Sequence, residues 1–457
     1  MSEDLGELYR KVGLLLRDDK WDEAIAVYTE IIRLEEAPER KSMAYSNRGV
    51  AYVGKGDYDL AIQDYNEAIE LRLEASIAYS NRSIAHLYKE NYPSALEDSI
   101  KANNYDEGRK SNDLFGYITC QLRAITSNRA DHPILFGNYF KLANTIVKIR
   151  GNLFYDDELP QGIDVAHYTS LHVLEALANN NPFRLYNSAY MDDPTEGRVF
   201  FEIMKDEFDV NVKEIFYKTD SEDSHSSPAY IGSFVKTDSQ NGGRKDKLLL
   251  WRAYGKHDNE AAGGACLIFQ KDQFAQQVPL MEIGAMAQWQ KDATKQGGAT
   301  FIRDLRPVLY RVIYNYKESD KSESENRPNL AALLKELASR LNDMAKLLEA
   351  PGIHKENFIQ LVRELLDSIR FLFKADSYSE EQEVRVVQMA YDTDGHPPPG
   401  RKVAIDRMPP RFYLEVPGNF RFNEVILGPK AGNVSEWKQW MSEKNGIKVE
   451  KSKIPFR

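Results

Sequence analysis

Cysteine is scarce: Cys120 and Cys266 are the only two in 457 residues, too few for a disulfide framework or a four-cysteine zinc site. That scarcity suits a reducing, cytoplasmic setting. No apolar run reaches the roughly 18 residues that span a bilayer, and the opening Met-Ser-Glu-Asp-Leu-Gly-Glu is acidic and polar, unlike a signal peptide. No membrane anchor or cleaved signal is therefore expected, while delivery into a host cell by a specialised machine stays open. Basic charge is also in deficit. A formal charge of -10 and a pI near 5.5 argue against broad electrostatic capture of nucleic acid or an anionic membrane, although a local basic patch or a nucleic-acid acceptor is not excluded. Missing too are Gly-x-Ser-x-Gly, a dinucleotide fingerprint and His-Glu-x-x-His, so serine hydrolases, classical dehydrogenases and zinc proteases have no specific support. What remains is a chain 42% hydrophobic and 28% charged, long enough for two or three domains with real cores.

Internal similarity is the strongest signal. Ala44-Tyr45-Ser46-Asn47-Arg48 returns 34 residues later as Ala78-Tyr79-Ser80-Asn81-Arg82, and Ala61 returns at the same interval as Ala95. An earlier copy sets Trp21-Asp22-Glu23-Ala24 against Tyr58-Asp59-Leu60-Ala61 at a spacing of 37, and Tyr28 against Tyr65. One interval implies one repeated structural unit, here a helix pair. The chain resembles the tetratricopeptide family in Gly49, Tyr52, Gly56, Tyr58, Ala61, Tyr65 and Ala68, small residues for close helix crossing and aromatics to fill the gaps. The resemblance implies an all-α solenoid over residues 1–108 whose concave face holds a protein or peptide; a purely architectural role is the alternative. Some family members grip a terminal carboxylate with paired Asn, Lys and Arg, which makes Asn47 and Asn81 candidate partner-binding residues. Arg10 and Ile77 depart from that pattern, so this particular tail specificity is not expected.

From Ser111 to Arg150 the apolar pattern stays helical without repeating. Residues 109–162 are accordingly expected to be capping helices and a linker, with Asn152 to Gly162 as the connection. Beyond Ile163 the period changes. Leu248 to Trp251, Ala265 to Phe269, Val308 to Tyr316 and Val384 to Met389 read as strands. Asn329 to Leu348 and His354 to Phe373 read as amphipathic helices with core-facing stripes. Residues 163–457 thus form an expected α+β domain with inserted helices. Asp220 to Pro228, Lys236 to Lys247 and Lys317 to Pro328 are read as loops.

Several segments of this second region resemble an uncharacterised bacterial domain family: His167-Tyr168-Thr169, Asp192-Asp193-Pro194, Leu250-Trp251 and Glu381-Gln382-Glu383-Val384-Arg385. Asp192 stands where that family usually has Asn. The family in turn distantly resembles the ADP-ribosyltransferase fold, in which a His or Arg begins the first core strand and a Glu comes late. This implies cleavage of NAD at the nicotinamide bond, with His167 orienting the ribose, Ser233 supporting the site and Glu383 catalytic.

A physical case stands beside the resemblance. Loss of neutral nicotinamide leaves an oxocarbenium-like ribose that a carboxylate stabilises. Residues two apart on a strand share a face, so Glu381 and Glu383 are expected to project together. The alternative is a solvated face of Glu381, Glu383 and Arg385 above a core of Val384 and Val386. Tyr168 either stacks on nicotinamide or fills the core, and His167 is either a ligand contact or a structural residue. Arg252 is a candidate pyrophosphate partner or a surface ion pair, and Asn187 borders the candidate cleft. Asp193-Pro194-Thr195-Glu196 is better explained as a helix start than as a metal cluster. No metal site is expected.

The expectation is therefore a repeat protein with an NAD-consuming ADP-ribosyltransferase domain. A nonenzymatic interaction scaffold or sensor is the competing class, and an NAD glycohydrolase a third reading.

Overall fold

The computed structural model describes residues 5–17, 20–71, 76–104, 132–155, 164–188, 197–217, 229–237, 248–257, 260–274, 307–314, 329–349, 355–389, 401–404, 411–416 and 420–455. The Asp192 to Glu196 helix start, Cys120, and most of the three expected loops lie outside them.

Six helices open the chain: α1 (Leu5–Arg17), α2 (Trp21–Leu34), α3 (Pro38–Lys55), α4 (Tyr58–Glu70), α5 (Ser76–Tyr88) and α6 (Tyr92–Asn104). Each packs on the next. The small residues set by the 34-residue interval lie at the crossings: Ala24, Ala44, Ala61, Ala68 and Ala95 are fully buried. Gly49 has to be small, since a Cβ there would sit 2.6 Å from the Tyr65 ring. The N-terminal region is thus a helical array of the kind tetratricopeptide repeats form.

The next described helix, α7 (His132–Leu153), packs on α6 and on two later helices, α11 (Leu330–Leu347) and α12 (Lys355–Arg370). One core cluster joins Ile84, Leu87 and Ala95 of the repeats to Leu142, Ile146 and Ile149 of α7, to Leu337 and Leu341, and to Ile231 and Val387 of the sheet. The described part of the segment expected to be a cap and linker, residues 132–155, is therefore built into a continuous core. The expected connection from Asn152 opens on the last residues of α7 and then meets the sheet: Phe154 bridges Tyr310, and the Tyr155 amide donates to the Leu309 carbonyl at 2.9 Å.

The large sheet contains β1 (Val165–Thr169), β2 (Arg184–Asn187), β3 (Ala229–Lys236), β4 (Ala265–Phe269), β5 (Leu309–Arg311), β8 (Glu383–Met389), β9 (Lys402–Ala404), β10 (Arg411–Glu415), β11 (Glu424–Leu427) and β12 (Lys448–Lys451). A second, two-stranded sheet pairs β6 (Ile313–Tyr314) with β7 (Phe373–Lys374) in parallel. Strand β3 is the hub. Along one edge it pairs with β8 from Ala229 to Val235; along the other, β2 takes Tyr230 and Ile231 while β1 takes Val235 and Lys236. Residues 232–234 thus fall between the stretches paired with β1 and β2.

Alternation sorts side chains to two faces. Val165, Phe234, Leu267, Val384 and Val386 pack on one side with α8 (Leu171–Ala178) and α13 (Val434–Asn445). Ile231, Tyr310 and Val387 pack on the other with α7, α11 and α12, and Ala166, Tyr168, Val235 and Cys266 continue that second face under α10 (Leu248–Ala253). That last helix corrects an expectation, because Leu248 to Trp251 reads as a strand. A run of four apolar residues does not distinguish the two states; here Leu250 and Trp251 are buried while Leu249 is 45% exposed, a one-sided burial that a short helix supplies. The apolar stripes of α11 and α12 are buried.

Candidate functional site

The polar centre of the sheet domain is a sealed ionic cluster. Arg385 holds the Glu383 carboxylate with two hydrogen bonds, Nε to Oε1 at 2.8 Å and Nη2 to Oε2 at 2.9 Å. Lys374 Nζ donates to Glu381 Oε2 at 2.8 Å and to Glu383 Oε2 at 3.2 Å. Tyr254 Oη donates to Glu381 Oε1 at 3.0 Å, and Tyr314 Oη accepts from the Glu383 amide at 2.9 Å. Arg385 Nη1 is spent on the Phe371 carbonyl at 2.6 Å. Two acids and two bases balance one another, as burial of charge requires.

Local sequence explains how the groups meet. Lys374 and Tyr314 are opposite each other in the β6–β7 pair, which brings residues 60 apart in the chain to one end of β8. Glu381 ends a 3-10 turn over Asp376–Glu381, and Gln382 follows with φ 50°, a left-handed conformation. Glu381 and Glu383 are therefore not alternate residues of one strand, as the spacing suggests; the turn interrupts the alternation, and Lys374 draws the two carboxylates together. The solvated-face alternative is corrected as well: Glu381, Glu383 and Arg385 are 6%, 7% and 1% exposed.

Burial by itself would raise the Glu383 pKa, but the charge and hydrogen bonds of Arg385, with Lys374 and the Ser233 hydroxyl, hold it down at about 2. A carboxylate so held is ionised and fully engaged, a poor proton acceptor. For Lys374, burial opposes the charge and the two glutamates overcome it, raising its pKa.

His167 lies on the opposite face. It pairs with Leu267 across β1 and β4, its ring meets Phe183 and Phe234 at centroid distances of 5.1 and 5.6 Å, and Nδ1 is 2.9 Å from the Ser233 carbonyl oxygen. Burial lowers its pKa, and that hydrogen bond offsets part of the effect. Ser233 thus touches both candidates, by its carbonyl to His167 and by its hydroxyl to Glu383. The three residues are linked through one strand, yet the histidine and the glutamate do not face a common space.

The remaining candidates disperse. Tyr168 is buried edge-on to Trp251 at 4.9 Å, a core position. Arg252 is exposed on α10, and the neighbouring Tyr254 reaches Glu381 instead. Asn187 is buried opposite Tyr230, on the His167 face. In the repeats, Asn81 is buried with its amide 3.4 Å from Ser46 Oγ, and the Asn47 side chain bonds the buried Tyr28 hydroxyl. Asn81 thus serves helix packing, whereas Asn47 stays partly exposed beside its bond to Tyr28. Among the described residues no group of three or more His, Cys, Asp or Glu is placed to hold a metal, and no helix is long and apolar enough to cross a membrane.

Sequence reading missed a repeated triplet. Arg48 grips Asp64 through two hydrogen bonds of 2.8 and 2.7 Å and lies 5.5 Å from the Tyr45 ring centroid. Arg82 does the same with Asp98, at 2.8 and 2.7 Å, and lies 5.3 Å from that of Tyr79. The 34-residue interval between Asp64 and Asp98 is the signal that could have found it. Lys374 gave no comparable signal.

Comparison with known proteins follows this division. A tetratricopeptide-repeat family model matches residues 42–72, and one described as a protein of unknown function (DUF2971) matches residues 250–386. The latter span includes Lys374, Glu381, Glu383 and Arg385 but neither β1 nor β3. Photosystem I assembly protein Ycf3 of Acaryochloris marina (strain MBIC 11017) is 33% identical over 70 residues, 15% of this chain and 42% of that protein. The chain therefore spans about two fifths of that relative. Among solved structures, the TPR2B-domain:pHsp70-complex of yeast Sti1 is similar at 31% identity, over 22% of this chain and 79% of that one, with a TM-score of 0.21. The chain thus contains tetratricopeptide repeats, which suggest protein–protein interaction, and a DUF2971 domain.

Proposed function

We propose that this protein is a nonenzymatic interaction protein, in which a solenoid of repeats takes a protein or peptide partner and the sheet domain is the scaffold or sensor joined to it. The observation that carries this reading is the repeated Tyr–Arg–Asp triplet. Tyr45 and Tyr79 are partly exposed, and each lies beside an arginine whose orientation is fixed by a buried aspartate. A regular row of aromatic and cationic groups suits an extended or helical acidic segment. The test is capture from extract by the full-length protein and by a Tyr45→Ala, Tyr79→Ala variant. Proteins held by the former and released by the latter are expected; identical recovery contradicts the reading.

The second reading is the NAD-dependent ADP-ribosyltransferase, or a glycohydrolase that releases nicotinamide without labelling a macromolecule. Ser233 supports it, since it contacts both His167 and Glu383 and stays partly exposed in the middle of the sheet. Against it stand the double grip of Arg385 on Glu383 and the opposite faces of the two candidates. A transferase has to free that carboxylate before it can support an oxocarbenium ion.

A further inference from the structure

Each repeat seats an aromatic ring on the helix that follows it. Trp21 opens α2, and a Cβ added at Gly54 of α3 would lie 2.8 Å from its ring. Tyr58, which opens α4, stacks on Tyr88 of α5 with centroids 5.1 Å apart and planes 3° from parallel. Tyr92 opens α6, and the helix it meets is α7: a Cβ at Gly137 would lie 2.7 Å from its ring. Tyr58 and Tyr92 keep the 34-residue interval, as Gly54 and Tyr88 do, while Gly137 comes 49 residues after Tyr88. Thus α7 receives the ring that the first helix of a fourth unit would receive, although its sequence does not repeat. Phe140, edge-on to Tyr88 at 5.4 Å, and Lys141, 5.5 Å from the Tyr92 ring centroid, fasten the same part of α7 to the array.

The far end of α7 lies in the sheet domain. With 22 residues against 18 in α3 and 13 in α5, it is about 33 Å long at 1.5 Å per residue. In its last turn Arg150, 3% exposed, donates from Nη1 to the Ser368 carbonyl at 2.9 Å and from Nη2 to the Tyr310 hydroxyl at 2.6 Å. Tyr310 stands opposite Arg385 in the β5–β8 register. Arg385 in turn holds the Phe371 carbonyl, three residues beyond Ser368. Two buried guanidiniums thus grip adjoining carbonyls at the C-terminal end of α12, where the helix dipole favours them. One belongs to α7, and the other holds Glu383.

We propose that α7 couples the repeats to the ionic cluster: a shift of the array, such as a seated partner imposes, moves Arg150 against the end of α12 and changes how firmly Arg385 holds Glu383. Close-packed interfaces answer a displacement by small shifts of whole helices, and α7 is one continuous helix from Tyr92 to the Ser368 carbonyl. The partner-binding reading supplies the natural trigger. The coupling itself belongs to the chain and is measured without a partner, so it can fail while that reading stands.

The test is amide hydrogen exchange, read by mass spectrometry on full-length protein over peptides spanning residues 371–387. Tyr92→Leu withdraws the ring from α7, and Trp21→Leu withdraws the corresponding ring two units away. Exchange across 371–387 is expected to rise about ten-fold in Tyr92→Leu and to stay within about two-fold of the parent in Trp21→Leu, each variant loosening the helices beside its own substitution. Unchanged exchange at 371–387 in a Tyr92→Leu protein whose α6 exchanges faster overturns the proposal. Equal acceleration in the two variants overturns it too, because it marks a general loss of stability. If Tyr92→Leu does not fold, the reverse direction decides, since coupling is reciprocal. Arg150→Lys keeps the charge and loses the fork, and is expected to speed exchange in α6 several-fold; an unchanged α6 overturns the proposal.

Discussion

The repeats and the sheet domain use the same chemical device in two settings. Arg48–Asp64 and Arg82–Asp98 are bidentate pairs between adjoining helices, with arginine side chains 17% and 18% exposed. Arg385–Glu383 is a bidentate pair whose arginine is 1% exposed. In the repeats the pair is a local unit that recurs with the chain. In the sheet it belongs to a cluster assembled from β7, β8 and the turn between them, and nearly every polar atom has an assigned partner. The difference teaches that a conspicuous acidic motif within a buried sheet calls first for an account of its counter-charges.

The sharpest way to break this comparison is Arg385→Met. It leaves Glu383 buried with Lys374 as its principal counter-ion, and should cost roughly 3–5 kcal/mol in urea unfolding; a loss below about 1 kcal/mol would mean that water already reaches the cluster.

Acid acts on the same pair more gradually. Glu383 has a folded pKa of about 2 against an ordinary 4.5, so its contribution is fully present above pH 4.5 and is lost as pH falls from there towards 2. His167, lowered by burial, works in the same direction: the unfolded chain takes up its proton below about 6.5, and stability falls with pH. Chemical unfolding between pH 7 and 3 should show a decline of a few kcal/mol, absorbed in part by Glu383→Gln at the low end. A flat profile would contradict the pairing.

Glycines sharpen the contrast. A Cβ at Gly428 would lie 2.1 Å from the Ala262 carbonyl oxygen, which is backbone, whereas one at Gly49 would meet the Tyr65 ring. Gly428→Ala should cost about 1–3 kcal/mol by thermal unfolding. Gly49→Ala should cost less, because the ring can shift and helix propensity returns up to about 1 kcal/mol. The smallest effect tests the periodicity itself. Arg48→Met and Arg82→Met should destabilise by about 1 kcal/mol each, and agree within about 0.5 kcal/mol.

What the sequence reveals follows the same division. The repeat helices were legible because Ala44 and Ala78, or Ala61 and Ala95, solve the same packing problem 34 residues apart. The stripes of α11 and α12 were legible because a helix buries one face in register with its own period. The site was legible only as a set of residue types. Gln382 breaks the alternation that would have aligned Glu381 with Glu383, Lys374 arrives through a parallel pair whose strands are 60 residues apart, and the faces of His167 and Glu383 depend on which strands flank β3. The first is a backbone turn that residue spacing alone does not show, and the other two are not local in the chain.

The most direct test of the account is nicotinamide release from NAD by the full-length protein and by Glu383→Gln, with urea unfolding of both in parallel. The account predicts no release above background by either protein and a clear loss of stability in the variant. Rapid release by the parent, abolished in a variant that unfolds at the same urea concentration, would make Glu383 a catalytic residue and contradict it.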